Sequence, residues 1–206
     1  MTTPADVELT TADVEQYTGG LMAASDPETQ RSLDSALAVA RRYVGWHVSP
    51  THLGDTIVLD GPNGRVLRLP TQNLVTLNSI TEDGIAVDLT AVMVSANRIK
   101  GQEIHVRKTA PTGSSSGVYS LYWTCNYSGI TVNMDHGYAA ADAANWRQAI
   151  LQMVSQMKTG RLDSDLIIKK VDDVSYQWSK GLSADQAVLT VAATLDDYAV
   201  GEMFFV

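Results

Sequence analysis

The sequence has one cysteine, Cys125, among its 206 residues. A lone cysteine excludes an internal disulfide and any zinc site built from several thiolates, and it fits a protein that folds in a reducing compartment. No basic residue close to it in sequence would activate the thiol, so we expect an unreactive side chain. The stability of the fold must therefore come from packing and from partners.

Long apolar runs are also absent. No segment approaches the roughly 18 consecutive apolar residues that a membrane-spanning helix requires. The first ten residues, MTTPADVELT, have neither a basic start nor an apolar stretch. We therefore expect no signal peptide and no membrane anchor. The length suits one sizeable hydrophobic core or two smaller ones.

Positive charge is scarce, with 15 Lys and Arg against 23 Asp and Glu and a formal net charge of -8. This balance argues against a protein that wraps nucleic acid, because duplex DNA is held mainly by basic side chains that neutralise phosphates. The acids are concentrated before residue 45, a segment that has only three arginines. The seven acids there are Asp6, Glu8, Asp13, Glu15, Asp26, Glu28 and Asp34.

Histidines are few and scattered along the chain: His47, His52, His105 and His136. Metal binding would need ligands at helical or hairpin spacing, and only His47 and His52 are neighbours in this set, across a proline. We expect these histidines to make ordinary hydrogen bonds at turns. The sequence therefore predicts no metal and no cofactor.

Catalytic motifs are absent as well. The segment from Gly113 to Gly117 resembles a nucleophile elbow, but a strand rather than a helix is predicted after it, so an oxyanion hole is not expected. The paired carboxylates Asp172-Asp173 and Asp196-Asp197 fall at a predicted turn and on an exposed helix face. We predict no catalytic residue and no enzymatic activity.

Two helices are predicted before residue 45. Thr10 and Asp13 have the spacing of a capping box, and Gly19-Gly20 ends that short helix. Asp26-Pro27 begins a longer helix that ends at Gly45. Its apolar residues recur every three or four positions: Leu33, Ala36, Leu37, Ala40 and Val44.

Residues 46–136 have a strand-like period and many turn residues, which predicts a β-rich insert. A first hairpin is predicted to join residues 56–60 and 65–69 across Gly61-Pro62-Asn63-Gly64, and a second to turn at Asp83-Gly84. Weaker strands are predicted at residues 91–94, 104–106, 118–123 and 130–134.

The helical period returns at residues 140–158, in a helix expected to pack on the second one through Trp146, Ala149, Ile150, Met153, Val154 and Met157. A hairpin over residues 167–179 and a last helix follow. The predicted fold class is α+β, with a helical bundle core, an inserted antiparallel β domain and a C-terminal hairpin and helix tail. Its parts are residues 1–45, 46–136, 137–160 and 161–206.

Several short segments occur in a recognisable order. They are Ala40-Arg41-Arg42-Tyr43-Val44-Gly45-Trp46-His47-Val48-Ser49-Pro50, Leu59-Asp60-Gly61, Leu69-Pro70-Thr71, the Asp83-Gly84 turn and His136-Gly137-Tyr138 before a helix. Together, over residues 10–158, this pattern resembles the head-to-tail adaptor (connector) proteins of long-tailed phages, the siphoviruses, especially those that infect actinobacteria.

The resemblance implies a structural virion protein, assembled in the host cytoplasm and located at the capsid-tail junction. It implies a ring of about twelve copies, bound to the portal protein on one side and to a stopper or tail-completion protein on the other. Double-stranded DNA would pass through the lumen during packaging and ejection without specific binding, and no membrane is involved. In that setting Asp13, Glu15, Glu28 and Asp34 would face the lumen and repel the phosphate backbone.

Apolar side chains of the tail are the predicted partner contacts, because the tail has little structure of its own to bury them. They are Tyr176, Trp178, Met203, Phe204 and Phe205. We expect a chain that ends at Gly181 to keep a folded core and to lose docking on the portal.

Two alternatives remain open. A carbohydrate- or host-binding module would expose Tyr119, Tyr122 and Trp123 together, although alternation on the predicted strand places Tyr122 opposite the other two. A small hydrolase or lyase would bring titratable groups together in a cleft, and the sequence offers no evident set.

Overall fold

The computed structural model describes residues 8–96, 103–109, 120–159, 168–171, 174–177 and 184–200. The fold is α+β, as predicted. In chain order its elements are α1 (Thr11–Tyr17), α2 (Pro27–Val44), β1 (His52–Leu59), β2 (Val66–Leu69), β3 (Leu74–Glu82), β4 (Ile85–Ala86), a 3-10 turn (Leu89–Ala91), β5 (Val92–Ala96), β6 (Ile104–Lys108), β7 (Ile130–His136), α3 (Ala144–Thr159), β8 (Ile168–Val171), β9 (Val174–Gln177) and α4 (Ala184–Leu195).

The chain divides into two compact units. A helical unit comprises residues 1–44 and 143–199, and a β unit comprises residues 45–142 and 200–206. The finer division into four parts, with a tail dedicated to assembly, stays a prediction. Within the described ranges, no helix combines the length and the apolar character that crossing a bilayer requires.

The helical unit begins with two capped helices. The Thr10 backbone N–H donates to the Asp13 carboxylate at 2.7 Å, and the Thr10 hydroxyl accepts from the Asp13 N–H at 3.4 Å, which forms the predicted capping box. At the start of α2, the Asp26 carboxylate accepts from the Glu28 N–H at 2.9 Å. The helix ends before Gly45, whose φ of 83° is the left-handed conformation of a helix stop.

The core of the helical unit is centred on α3, which contacts the other three helices. The predicted stripes of α2 and α3 are both buried, and the expected packing of α3 on α2 is confirmed. The last helix also belongs to this core, because α4 packs on α2 and α3 and buries Ala187, Val188, Val191 and Leu195. A chain that ends at Gly181 would lack α4 and with it part of this core, so the expectation that such a chain stays folded stays a prediction that this packing argues against.

The β unit contains two antiparallel sheets, ordered β1-β7-β3-β4 and β2-β6-β5. In β7, buried residues alternate with half-buried ones along the whole strand, so one face of the first sheet forms a core. Residues from both sheets and one loop tryptophan form a single apolar cluster: Leu67, Leu69, Ile80, Ile104, Val106, Trp123, Ile130, Val132 and Met134. The two sheets therefore share one hydrophobic core.

The first predicted hairpin is wrong. β1 pairs with β7 and β2 pairs with β6, so the strands on either side of residues 61–64 belong to different sheets. The turn residues instead bond to a distant segment: the Gly61 N–H donates to the Asn126 carbonyl at 2.9 Å and the Asn63 N–H to the Thr124 carbonyl at 3.1 Å. A Cβ at Gly61 would lie 2.1 Å from the Thr124 oxygen, so only glycine permits this approach.

Other strand predictions have mixed outcomes. The hairpin at Asp83-Gly84 is confirmed by the pairing of β3 with β4, and the tail hairpin by the pairing of β8 with β9. The strand predicted at residues 118–123 is wrong for its described part, because residues 120–123 are irregular. The backbone N–H of Trp123 donates to the Gly64 carbonyl at 2.8 Å. This hydrogen bond joins the irregular segment to the loop after β1.

Candidate functional site

The predicted partner contacts fall mostly outside the described residues. Trp178, Met203, Phe204 and Phe205 lie there, and Tyr176 lies in strand β9, where it pairs with Lys169 of β8. Among the described elements, β8 and β9 form extensive contacts only with each other. A two-stranded hairpin alone is at best marginally stable in water, so this hairpin needs a further contact to be well ordered.

The four predicted lumen acids all belong to the helical unit. Asp13 lies in the capping box and 3.8 Å from Arg147, and the Glu15 carboxylate accepts from a backbone N–H at 3.0 Å. Glu28 lies 3.6 Å from Arg31. Asp34 is exposed on α2 and accepts from a glutamine side chain one turn earlier. All four thus make a local contact, and Asp34 is the one exposed residue among them.

The aromatic residues of the binding-module alternative are not exposed together. Trp123 is buried, its indole N–H donates to the Val106 carbonyl at 3.3 Å, and the Lys108 ammonium lies 4.6 Å from the ring centre. Tyr122 is exposed, while Tyr119 lies outside the described residues. Trp123 therefore serves the core of the β unit and is not available to contact a sugar.

Three histidines converge in the β unit, contrary to the expectation that they stay scattered. The rings of His47, His52 and His136 have centroids 5.4 to 6.2 Å apart. Asp55 joins them: its carboxylate oxygen lies 3.1 Å from His136 Nε2 and 3.7 Å from His52 Nδ1. We name His52, Asp55 and His136 the histidine cluster. His105 lies on β6 and is not part of it.

A bulge in β1 creates this cluster. Alternation along a regular strand places residues three apart on opposite faces. Here β1 has an extra residue between His52, which pairs with His136, and Asp55, which pairs with Met134. Gly54 occupies the bulge with a φ of 64°, a conformation that glycine adopts readily. Because His136 and Met134 share the buried face of β7, their partners His52 and Asp55 face the same side.

The electrostatics of the cluster favour an ionised carboxylate. Burial raises the pKa of the Asp55 carboxyl, but the hydrogen bond and charge of His136, the charge of His52 and the Thr56 N–H together hold this pKa below its usual value. An ionised carboxylate between two imidazoles can share a proton or a metal cation with them. His136 is buried, whereas the side chain of His52 is 57% exposed, so the cluster opens to solvent on one side.

Sequence reasoning missed the cluster because its members are separated by up to 84 positions, from His52 to His136. A local signal was Gly54, just before the strand predicted at residues 56–60, since an isolated glycine in a strand suggests a bulge. That signal indicates that a side chain of β1 next to Gly54 changes the face of the sheet on which it lies. It does not reveal that β7 is the neighbouring strand.

The fold defines an α+β class of protein in which a β unit is inserted between the second and third helices of a helical unit. No protein-family model and no curated protein matches the sequence. Solved structures do share the fold.

One chain of the virion of a native gene transfer agent (GTA) particle has a TM-score of 0.56 and 12% identity, over 100% of this chain and 96% of that chain. Chains of the neck of the native GTA particle computed with C12 symmetry and of the empty-particle neck computed with C6 symmetry have TM-scores of 0.57 and 0.56 at 10% identity, with the same coverage. At such identities the likeness establishes a shared fold, which extends over both units.

Proposed function

We propose that this chain is a structural protein of a virion neck, a head-to-tail adaptor that performs no enzymatic step. Copies of the chain form a ring between the portal protein and a stopper or tail-completion protein, and double-stranded DNA passes through the ring. The observation that carries the proposal is the fold shared with chains of GTA virion and neck structures along essentially the whole length of both chains.

Two further features support this role. The order of sequence motifs from Ala40 to Tyr138 resembles that of phage adaptors, and this resemblance is independent of the fold comparison. One of the similar necks was computed with C12 symmetry, which fits a ring of twelve subunits. A cyclic ring joins two different patches of each subunit, and a projecting hairpin or tail is a common way to supply one of them.

The hairpin β8–β9 and residues 201–206 are the proposed assembly contacts. The hairpin has no extensive contact with another described element, so a neighbouring chain in the ring would supply the surface that it lacks. The truncation that tests the last residues ends at Val200, because α4 belongs to the core and must be kept.

The test is co-purification with the portal protein of the same particle. We expect the full chain to bind the portal with a fixed stoichiometry, and both the chain ending at Val200 and a chain with residues 168–177 replaced by a Gly-Ser linker to bind more weakly. Tyr127→Ser is the matched control, because it removes a 90% exposed aromatic side chain from the β unit. Equal binding by all four chains would refute the assigned contacts. Failure of the full chain to bind would refute the adaptor role.

The acidic lumen can be tested separately. Asp34→Lys reverses a charge on an exposed position of α2, and Asp142→Lys makes the same change on an exposed position of the β unit. If Asp34 faces DNA, the first change should slow ejection because a lysine there attracts phosphate. Unchanged packaging and ejection in Asp34→Lys particles would remove the proposed role of this acid.

A further inference from the structure

We propose that the histidine cluster binds one divalent transition-metal ion of the zinc type, with His52 Nδ1, one Asp55 carboxylate oxygen and His136 Nε2 as its protein ligands. The inference does not depend on the adaptor role. It concerns a site within the β unit, whose ligands are 3.1, 3.7 and at most 4.8 Å from one another.

The spacing of these atoms fits a tetrahedral ion. Zinc binds imidazole nitrogen and carboxylate oxygen at about 2.0 to 2.2 Å, so neighbouring ligand atoms in a tetrahedral site lie about 3.4 Å apart. The distances from the Asp55 oxygen to His136 Nε2 and to His52 Nδ1, 3.1 and 3.7 Å, bracket this value. Small side-chain rotations would bring His52 and His136 to the same separation from each other.

The chemistry of the donors selects the class of metal. Two imidazoles and one carboxylate suit Zn²⁺ and its neighbours in the first transition series, whereas Ca²⁺ and Mg²⁺ prefer shells made of oxygen. Lone pairs on His136 Nε2 and on the Asp55 oxygen repel at 3.1 Å unless a proton or a cation lies between them. One metal ion would satisfy all three ligand atoms at once, which a single proton cannot do.

The backbone holds the ligands in place before any ion arrives. The register of β1 and β7 and the bulge at Gly54 fix His52, Asp55 and His136 on one face, and the side chain of His136 is only 5% exposed. Asp135 helps to hold the bulge, since its carboxylate accepts from the Gly54 N–H at 2.7 Å. Preorganised ligands lose little conformational entropy on binding, which favours affinity.

The fourth coordination position is open. His52 is largely exposed, so water or a donor from another molecule can reach the ion from its side. The remaining histidine nearby does not fill that position, because His47 Nε2 lies 2.6 Å from the Pro50 carbonyl and donates a hydrogen bond to it. A bound ion would fasten the outer strand β1 to β7 at the point where the bulge interrupts their regular pairing.

The competing account places protons alone in the cluster, with protonated histidines donating to Asp55. Titration of the tag-free, EDTA-treated chain with Zn²⁺ by calorimetry distinguishes the two accounts. We expect one Zn²⁺ per chain, a higher Tm when Zn²⁺ is present, and about a tenfold or greater loss of affinity in His52→Gln and in Asp55→Asn. His52→Gln changes an exposed side chain, so its fold is expected to persist.

His105→Gln is the matched control, because it removes the one histidine of the β unit that lies on the other sheet. Co²⁺ gives a second readout, since a tetrahedral site with nitrogen and oxygen ligands produces visible absorption bands that Asp55→Asn should abolish. Absence of stoichiometric Zn²⁺ binding in the unaltered chain would overturn the proposal. The proposal would also be overturned if His52→Gln and Asp55→Asn bound Zn²⁺ as tightly as the unaltered chain. A loss of affinity in His105→Gln as large as theirs would have the same consequence.

Discussion

The ion pair between Glu82 and Lys108 joins the two sheets of the β unit and permits a quantitative test of how this core is held. The two side chains are only 20% and 12% exposed. Glu82 also accepts from the Thr124 N–H at 2.7 Å, and Lys108 donates to the Tyr122 carbonyl at 3.1 Å and lies over the Trp123 ring. One pair of charges therefore fixes β3, β6 and the irregular segment after residue 120.

Removing one member should leave the other charge, which is largely shielded from solvent, without its counter-ion. Breaking a buried pair in this way costs about 3 to 5 kcal/mol. Here Glu82→Gln keeps an acceptor for the Thr124 N–H, and Lys108 keeps its carbonyl and ring contacts, so we expect a loss of about 3 kcal/mol in the free energy of unfolding. Lys108→Met, which keeps the apolar stem, should cost a similar amount.

The double variant decides whether this reasoning holds. Without either charge, no uncompensated ion is buried, so Glu82→Gln with Lys108→Met should cost clearly less than the sum of the single losses, with a coupling energy of about 1 to 3 kcal/mol. Urea unfolding followed by tryptophan fluorescence measures all four chains at pH 7. Two results would refute a shielded and coupled pair. One is that the losses in the free energy of unfolding add up in the double variant, and the other is that each single variant lies within about 0.5 kcal/mol of the unaltered chain.

Three further predictions concern both units. Leu195→Ala in α4 empties a fully buried position and should cost about 2 to 5 kcal/mol in urea unfolding. Gly137→Ala should cost at least about 1 kcal/mol by the same assay, because φ is 104° and the new Cβ would lie 2.8 Å from a carbonyl oxygen. Burial raises the pKa of Asp13, but hydrogen bonds from Thr10 and a nearby arginine hold it below 3.8. Asp13→Asn should therefore destabilise the chain above about pH 4, and this difference should vanish as the pH falls through the folded-state pKa, by thermal melts from pH 2 to 7.

Local patterns in the sequence predicted the helical elements well. The stripes that include Leu37 and Met153 repeat every three to four residues within one helix, and burial of that face follows from amphipathicity alone. Capping at Thr10 and the stop at Gly45 depend on residues that are adjacent in the chain. These features are encoded within a few turns of backbone, so a single sequence is enough to predict them.

Features that depend on distant strands were predicted poorly. The turn after Asp60 looked like a hairpin, but its residues bond to the Thr124 to Asn126 segment, which lies about 60 positions away. The histidine cluster depends on the register of β1 with β7 and on a bulge at Gly54. Alternation within one strand carries no information on which strand is its neighbour, so neither feature could be derived from local pattern.

The predicted assembly contacts remain to be tested by experiment. Four of the five residues lie outside the described part of the chain. Tyr176 lies in the hairpin of β8 and β9, which form extensive contacts only with each other among the described elements. Truncation at Val200 and replacement of the hairpin test the two segments independently of each other. Both variants leave the core helix α4 in place. Loss of binding in one variant alone would assign the portal contact to one segment.

The central claim is that copies of this chain assemble into a ring that docks on a portal. Mass photometry of the purified chain, alone and mixed with the portal protein of the same particle, tests it most directly. We expect either free rings or a mass increment on the portal of about twelve subunits, the number that the proposed ring contains. A chain that stays monomeric and adds no mass to the portal would contradict the account.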